Sequence, residues 1–327
     1  MTRCKTLSYP KYRLNSPFAV LRDLCAFAVK ISPKSKIQNQ QVIRIVMLGR
    51  LGNNLFQYAL GRVLAEKHGV PLVMDGSWFN AGGWGQVNCI RQLPGPAAGK
   101  ARVVRRCSLL SRALLKATGR HYWEYRGVPI LHEDPTDQSF DQRLVEAPEN
   151  CMLFGYFQTP RYFEGFENQL REELSTHDLG LEKGQEALAD RLRMRNSVAV
   201  HVRRTDYIGS PNLDLCGAAY YQQSMNQMRD TLGDSRFFVF SDDPAWCETH
   251  FTEPDTEVIK HSKSASPLTD LHLMSLANHH IIANSSYSWW AAWLGNKAGQ
   301  CVLMPSQWFG QVKAPIEEKR LSHWTVI

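Results

Sequence analysis

The sequence predicts an α/β protein built as two halves, each a parallel sheet wound by helices. Three observations carry this. Short apolar runs alternate with segments of helical spacing along most of the 327 residues, the rhythm of parallel sheets. A chain of this length is too long for one small core and most comfortably makes two domains. Around Ser175 to Glu186 the chain turns polar, with Gly180 and Gly184, and a second strand–helix rhythm begins beyond it. The expected organisation is a basic N-terminal extension (1–40), an N-terminal α/β domain (41–180), a C-terminal α/β domain (181–310) and a C-terminal tail (311–327).

The elements follow in order. Val42 to Leu48 reads as the first strand, and Gly49-Arg-Leu-Gly-Asn-Asn54 as a glycine-bearing turn. Leu55 to His68 has apolar residues at 55, 56, 59, 60, 63 and 64, which is helical spacing, and Gly69 sits at a helix stop. Pro71 to Asp75 is the next strand, completing a strand–loop–helix–strand unit. The stretch 76–120 is loop-rich and basic and receives no element. Cys151 to Phe157 predicts a strand and Pro160 to Leu174 a helix. In the second half the predicted strands are Ser197–Val202, Arg236–Phe240, Thr256–Lys260, His280–Ala283 and Cys301–Met304. Helices are expected at Leu188–Met194, Ala218–Leu232, Ala245–His250, Pro267–Ala277 and Ser288–Gly295.

Composition narrows the function classes. Formal net charge is +7 and the pI about 9.0, which favours anionic partners. Before position 40, Arg3, Lys5, Lys11, Arg13, Arg22, Lys30, Lys34 and Lys36 face one acid, Asp23. Arg91 to Arg120 carries no acid at all. A nucleic-acid binder would interleave aromatics with such runs as a stacking platform, and this chain does not, so no nucleic-acid partner is expected. The eight cysteines are scattered without a Cys-x-x-Cys pair or a cluster with His, which points to buried thiols and no metal site. No run reaches the roughly 18–20 apolar residues of a membrane span. Pro17 to Lys30 reads either as an irregular leader or as a short amphipathic helix on an anionic membrane. The expected location is cytoplasmic, with peripheral membrane contact as the variant.

Four loops follow predicted strands and carry chemistry. The most informative is His201-Val-Arg-Arg-Thr-Asp206. Two guanidiniums and a carboxylate in four positions do not suit a core, whereas Arg at the end of a strand suits a diphosphate. His201 and Arg203 share a face and Arg204 points elsewhere, so one Arg is expected on the anion and the other on an acid. A purely structural ion-pair cluster is the competing reading. Gly49 to Asn54 offers tight turning and free helix amides, or simply a helix capped by Asn53. Phe240-Ser241-Asp242-Asp243-Pro244 presents carboxylates to a ribose hydroxyl or a guanine edge, although Asp243 before Pro244 is also a good helix start. Asn284-Ser285-Ser286 runs from strand into helix with hydroxyls suited to phosphate. Trp289, Trp290 and Trp293 lie at helical spacing and read as core rather than as a sugar platform.

Three of these stretches resemble the bacterial and animal α-1,2-fucosyltransferases: Gly49 to Ala59, His201 to Tyr207, and Asn284 to Leu294. The strand and turn Phe237 to Asp243 also match, so the likeness runs from about Val42 to about Trp308. The resemblance implies two Rossmann-like domains facing a cleft (GT-B-like), with the acceptor on the N-terminal side. It implies a GDP-fucose donor, metal-independent inverting transfer and a galactose-type acceptor hydroxyl in a glycan. It places Arg203 on the donor diphosphate with Arg204 beside it. It puts Asp242 or Asp243 near the nucleoside, and Ser285 and Ser286 on phosphate. Asn53, Ser241 and Asn284 complete the expected donor site. Asp206 is the candidate general base and His201 its alternative. Asn54 and Tyr287 depart mildly from the family pattern. The competing functions are fucosyl transfer to another hydroxyl or to protein, and a non-catalytic GDP- or glycan-binding module. Acceptor selection is expected in the loops Trp78 to Gly95 and Tyr122 to Tyr125.

Overall fold

The structure is a computed structural model that describes residues 41–76, 95–104, 127–176, 179–260 and 266–327. The expected N-terminal extension, nearly all of the two acceptor loops and most of the basic stretch up to 120 lie outside the described residues. Two parallel sheets account for the strands. The first holds β1 (Ile43–Val46), β2 (Leu72–Asp75), β3 (Ala101–Val104), β4 (Ile130–His132) and β5 (Cys151–Phe154), in the order β3-β2-β1-β5-β4. The second holds β6 (Ser197–Val202), β7 (Arg236–Ser241), β8 (Thr256–Val258), β9 (His279–Ile281), β10 (Val302–Met304) and β11 (Thr325–Val326), in the order β11-β10-β9-β6-β7-β8. This is the expected two-part α/β architecture.

The strand order of the second sheet reverses direction once, between β6 and β9. In the first sheet β1 has β2 and β3 on one side and β5 and β4 on the other, and the segment after β5 packs on the helix after β1, with the Phe163 ring 6.3 Å from that of Phe56. At a reversal, the loops after the two strands part to opposite faces and leave a crevice at the carboxyl ends. The four loops with polar chemistry follow β1, β6, β7 and β9, all at the carboxyl ends of strands, with those after β6 and β9 at the reversal. The topology therefore positions the site.

The helices are α1 (Leu51–His68), α2 (Gly95–Lys100), α3 (Gln142–Val145), α4 (Glu167–Glu173), α5 (Lys183–Arg193), α6 (Ala218–Leu232), α7 (Pro244–His250), α8 (Pro267–Ser275) and α9 (Ser286–Gly295). One hydrophobic core runs through both halves. Phe56 on α1 lies 4.8 Å from the Trp289 ring and 5.0 Å from Trp290, both on α9 and fully buried. The tryptophans of α9 are thus core, and they seal the two halves together.

The structure differs from the expected elements in instructive places. α1 starts at Leu51, four residues early, because Gly49 turns the chain at φ +70° and Arg50 takes the N-cap position. The strand expected to reach Phe157 stops at Phe154, and Phe157 itself adopts φ +55°. The helix expected over Pro160 to Leu174 is a 3-10 turn, Pro160–Phe163, and then α4, parted where Gly165 has φ +80°. Residues 311–327, expected as a tail, instead close the fold. β11 pairs with β10, Trp324 is buried, and Lys313 exchanges backbone hydrogen bonds with Thr136 and Gln138 of the first half. Glu318 accepts from the Phe140 amide and from Arg161, and buried Lys319 donates to the Gln138 carbonyl at 3.0 Å. Among the described residues no helix is long and apolar enough to cross a membrane.

Candidate active site

The loop after β1 and the loop after β9 bring two helix N-termini together. α1 begins after Arg50 and α9 after Ser285, and neither N-cap side chain bonds its helix. No acid occupies the first turn of either. Gly52 sits so close to α9 that a Cβ there would lie 2.4 Å from the Tyr287 amide nitrogen and 2.6 Å from the Ser286 carbonyl carbon. Free amides and the positive ends of two helix dipoles therefore meet at one place, an arrangement that favours an anion.

Arginines surround it. Arg203 follows β6, and its two terminal nitrogens reach Asp206 at 2.6 Å and Asp242 at 3.1 Å. Its guanidinium lies 5.6 Å from the Tyr207 ring centre. Arg50, from the first half, reaches the other oxygen of Asp206 at 3.3 Å. Asp206 thus holds one Arg from each half. Arg204 turns the other way, as strand geometry expects: its Nε donates to Asp243 at 3.0 Å and its guanidinium stacks 3.9 Å over Trp246. Burial alone would raise the Asp242 carboxyl. Arg203, the Thr205 hydroxyl at 2.6 Å and the Arg204 amide at 2.9 Å hold it below the ordinary carboxylate range. Asp243 caps α7, accepting from the Trp246 amide at 3.2 Å, while its own amide donates to the Ser241 hydroxyl at 2.9 Å.

A chain of carboxamides ties the halves. Asn53 does not cap α1, one of its two expected roles, because it stands in the first turn rather than before it. Its Oδ1 accepts from the Ser286 hydroxyl at 2.6 Å and from Gln158 Nε2 at 2.8 Å. Gln158 Oε1 accepts from the Trp308 indole N–H at 2.8 Å. Asn284 is buried, and its amide donates to the Leu213 and Trp308 carbonyls, both at 3.1 Å. Expected on the donor, Asn284 fastens three segments of the second half. Ser285 is buried at the N-cap of α9 and hydrogen-bonds the Tyr207 hydroxyl, while Ser286 faces Asn53.

Gln158 owes its place to a forced turn. The buried Glu133 carboxylate accepts from the Tyr156 amide at 2.6 Å and from the Phe157 amide at 2.9 Å. A bulky residue at positive φ costs on the order of 1–3 kcal/mol, and these bonds hold it there.

His201 fits a base role poorly. It is buried, its ring lies 5.5 Å from that of Tyr287, and burial pushes its imidazole down to about 3, with Arg203 adding and Asp242 opposing. It stays neutral near pH 7. Among the described residues no group of three His, Cys, Asp or Glu side chains is placed to hold a metal ion.

The structure thus gathers Arg203, Asp206, Asp242, Asn53, Ser285 and Ser286 at one junction, sets Arg204, Asp243 and Ser241 on its β7 side, and assigns Asn284 to the framework. Arg50, Thr205, Tyr207, Gln158 and Trp308 were not anticipated. Arg50 and Tyr207 stood inside the motifs, as charge and ring beside the residues singled out. Gln158 had only its position just past a strand end.

Comparison with known proteins bears on the same motifs. The profile of glycosyl transferase family 11 matches residues 135–327, more than half of the chain. An α-1,2-colitosyltransferase of Escherichia coli is 37% identical over 179 residues, covering 53% of this chain and 61% of that protein's length. The O-antigen biosynthesis glycosyltransferase WbnK of Escherichia coli is 28% identical over 283 residues, covering 80% of this chain and 93% of WbnK. Among solved structures, the NodZ alpha-1,6-fucosyltransferase soaked with GDP-fucose is 16% identical and covers 78% of this chain and 93% of its own, with a TM-score of 0.43. The motifs after β6, β7 and β9 lie within the matched profile, and the chain belongs to glycosyl transferase family 11.

Proposed function

We propose that this chain transfers L-fucose from GDP-fucose to the 2-hydroxyl of a galactose-type acceptor, with inversion at the anomeric carbon. The observation that carries the reading is the convergence of two uncapped helix N-termini with Arg203 and Arg50 at the carboxyl ends of the two sheets. Family membership supplies the reaction class. As the sugar leaves, it gains oxocarbenium character and negative charge builds on the departing diphosphate. Amides and a guanidinium already aimed at that charge lower the barrier without reorganising. The anion is met by these groups, so the reading requires no metal. Asp206 bonds Arg203 and Arg50 together, which suits it to holding them rather than to taking the acceptor proton. Asp242 and Asp243 orient the arginines, and a ribose hydroxyl would use the lone pairs they leave free.

A second donor sugar is favoured by one finding. The relative that is 37% identical is named for colitose rather than fucose. Incubation with GDP-fucose or GDP-colitose, a panel of galactosides and linkage analysis separates the two. The expected product is a 2-linked α-fucoside with one GDP released per transfer. GDP released only into water, with no acceptor used, overturns the proposal. Replacing Arg203 with Lys keeps the charge and loses the fork, so kcat/KM should fall by about 10²-fold. A near-wild-type rate would remove Arg203 from the diphosphate.

A further inference from the structure

We infer that Gln158 is a positioning residue: it sets the polarity of Asn53 so that Asn53 offers N–H, not C=O, to the donor diphosphate. The inference rests on the reading that the anion at the two helix N-termini is that diphosphate. It starts at Trp308. An indole N–H only donates, so the Gln158 atom facing it at 2.8 Å must be the oxygen. The amino group of Gln158 then faces Asn53, and the Asn53 atom receiving it at 2.8 Å must be the oxygen too. That oxygen also takes the Ser286 hydroxyl at 2.6 Å. Asn53 Nδ2 is left on the other side, over Gly49, where a Cβ would lie 2.1 Å from it. Asn53 is half-buried there, beside the uncapped start of α1, and among the described residues no protein acceptor is recorded for its Nδ2.

The relay holds only while Gln158 keeps its pose. The Gln158 side chain is buried, and its backbone follows the Phe157 turn fixed by Glu133. Were the Gln158 carboxamide reversed, two donors would meet at Trp308 and two acceptors at Asn53. Asn53 would then turn its oxygen toward the anion.

The test is GDP affinity measured calorimetrically on the full chain, with inorganic pyrophosphate as a second probe. Gln158→Glu accepts from Trp308 but, ionised, cannot donate to Asn53. GDP and pyrophosphate should each bind about 10- to 100-fold more weakly, the loss expected for a misdirected hydrogen bond to a charged group. A purely structural role would not predict the next result. Protonation gives the introduced carboxyl an O–H donor, so the deficit relative to wild type should shrink as pH falls. Asn53→Ala, a change on a half-buried side chain with no group that titrates, should show a comparable loss with no such recovery and covers the case of a Gln158 variant that fails to fold. Wild-type GDP affinity in either folded variant overturns the inference. A wild-type chain that binds neither GDP nor pyrophosphate overturns the proposed function itself, and the inference with it.

Discussion

Gly52 is tightly constrained by backbone, since a methyl group there would meet the backbone of Ser286 and Tyr287 at 2.4–2.6 Å. Backbone cannot swing aside as a side chain can. Gly52→Ala should therefore part the two helix starts, costing about 1–3 kcal/mol in stability and weakening GDP binding. Urea midpoints and calorimetry on the same sample check both. Two deeply buried imidazoles make a second prediction. Burial holds His201 and His280 down to about 3 from an ordinary 6.5. Between those values these two imidazoles bind more protons in the unfolded chain than in the folded one. Their contribution to stability therefore falls as pH drops through that window, against the opposite contribution of Asp270, which burial raises to about 7. The slope is at most about 1.4 kcal/mol per pH unit for each imidazole. A His280→Gln variant, which cannot titrate there, should lose less of its urea midpoint between pH 7 and about pH 5 than the wild type, and an equal loss would contradict this. At this scale the motifs pointed to Arg203, Arg204, Asp242 and Ser286, which the structure places near one another, because charge and hydroxyls at strand ends stand out against apolar runs. They did not disclose Gln158 or Trp308. A lone glutamine and a lone tryptophan carry no pattern, and their meaning comes from a contact across 150 residues of chain.

The elements that were legible were those with a strong period or a clear stop. Gly69 ends α1 in a left-handed conformation at φ 64°, as its position suggested. β6 and β7, each six residues, were read nearly whole. β3, β4 and β11 were not, because four, three and two residues of mixed character give no alternation to count. The turn after β5 was hidden for another reason. Nothing local asks Phe157 to adopt positive φ; the demand comes from Glu133 on the neighbouring strand end. Glu133→Gln offers one acceptor where two are needed and sets an N–H₂ against a backbone amide. It should lower stability by about 1–3 kcal/mol, read as a shift in urea midpoint, and an unchanged midpoint would show that the turn holds itself.

For the whole molecule, two α/β halves were readable and their union was not. Phe56 and the α9 tryptophans each looked like the core of their own half, yet they share one core. The segment 311–327 adds a second tie by running from the second sheet across Thr136, Gln138 and Phe140 of the first half. The halves should therefore unfold together. Calorimetry is expected to show one cooperative transition, and Phe56→Ala should lower stability by about 3–5 kcal/mol while keeping it single. Two resolved transitions would refute the shared core.

The crossing at Gly52 has a consequence for how such a site is interrogated. Much of its attraction for anions belongs to peptide groups, which survive when side chains are trimmed. An alanine scan would credit the arginines and hydroxyls and record nothing of the peptide groups, although the amides of both helix starts remain at work in every variant. Replacing single peptide links with esters at these positions would expose that contribution directly. The map of function drawn from side chains would then be seen to cover only part of the binding surface.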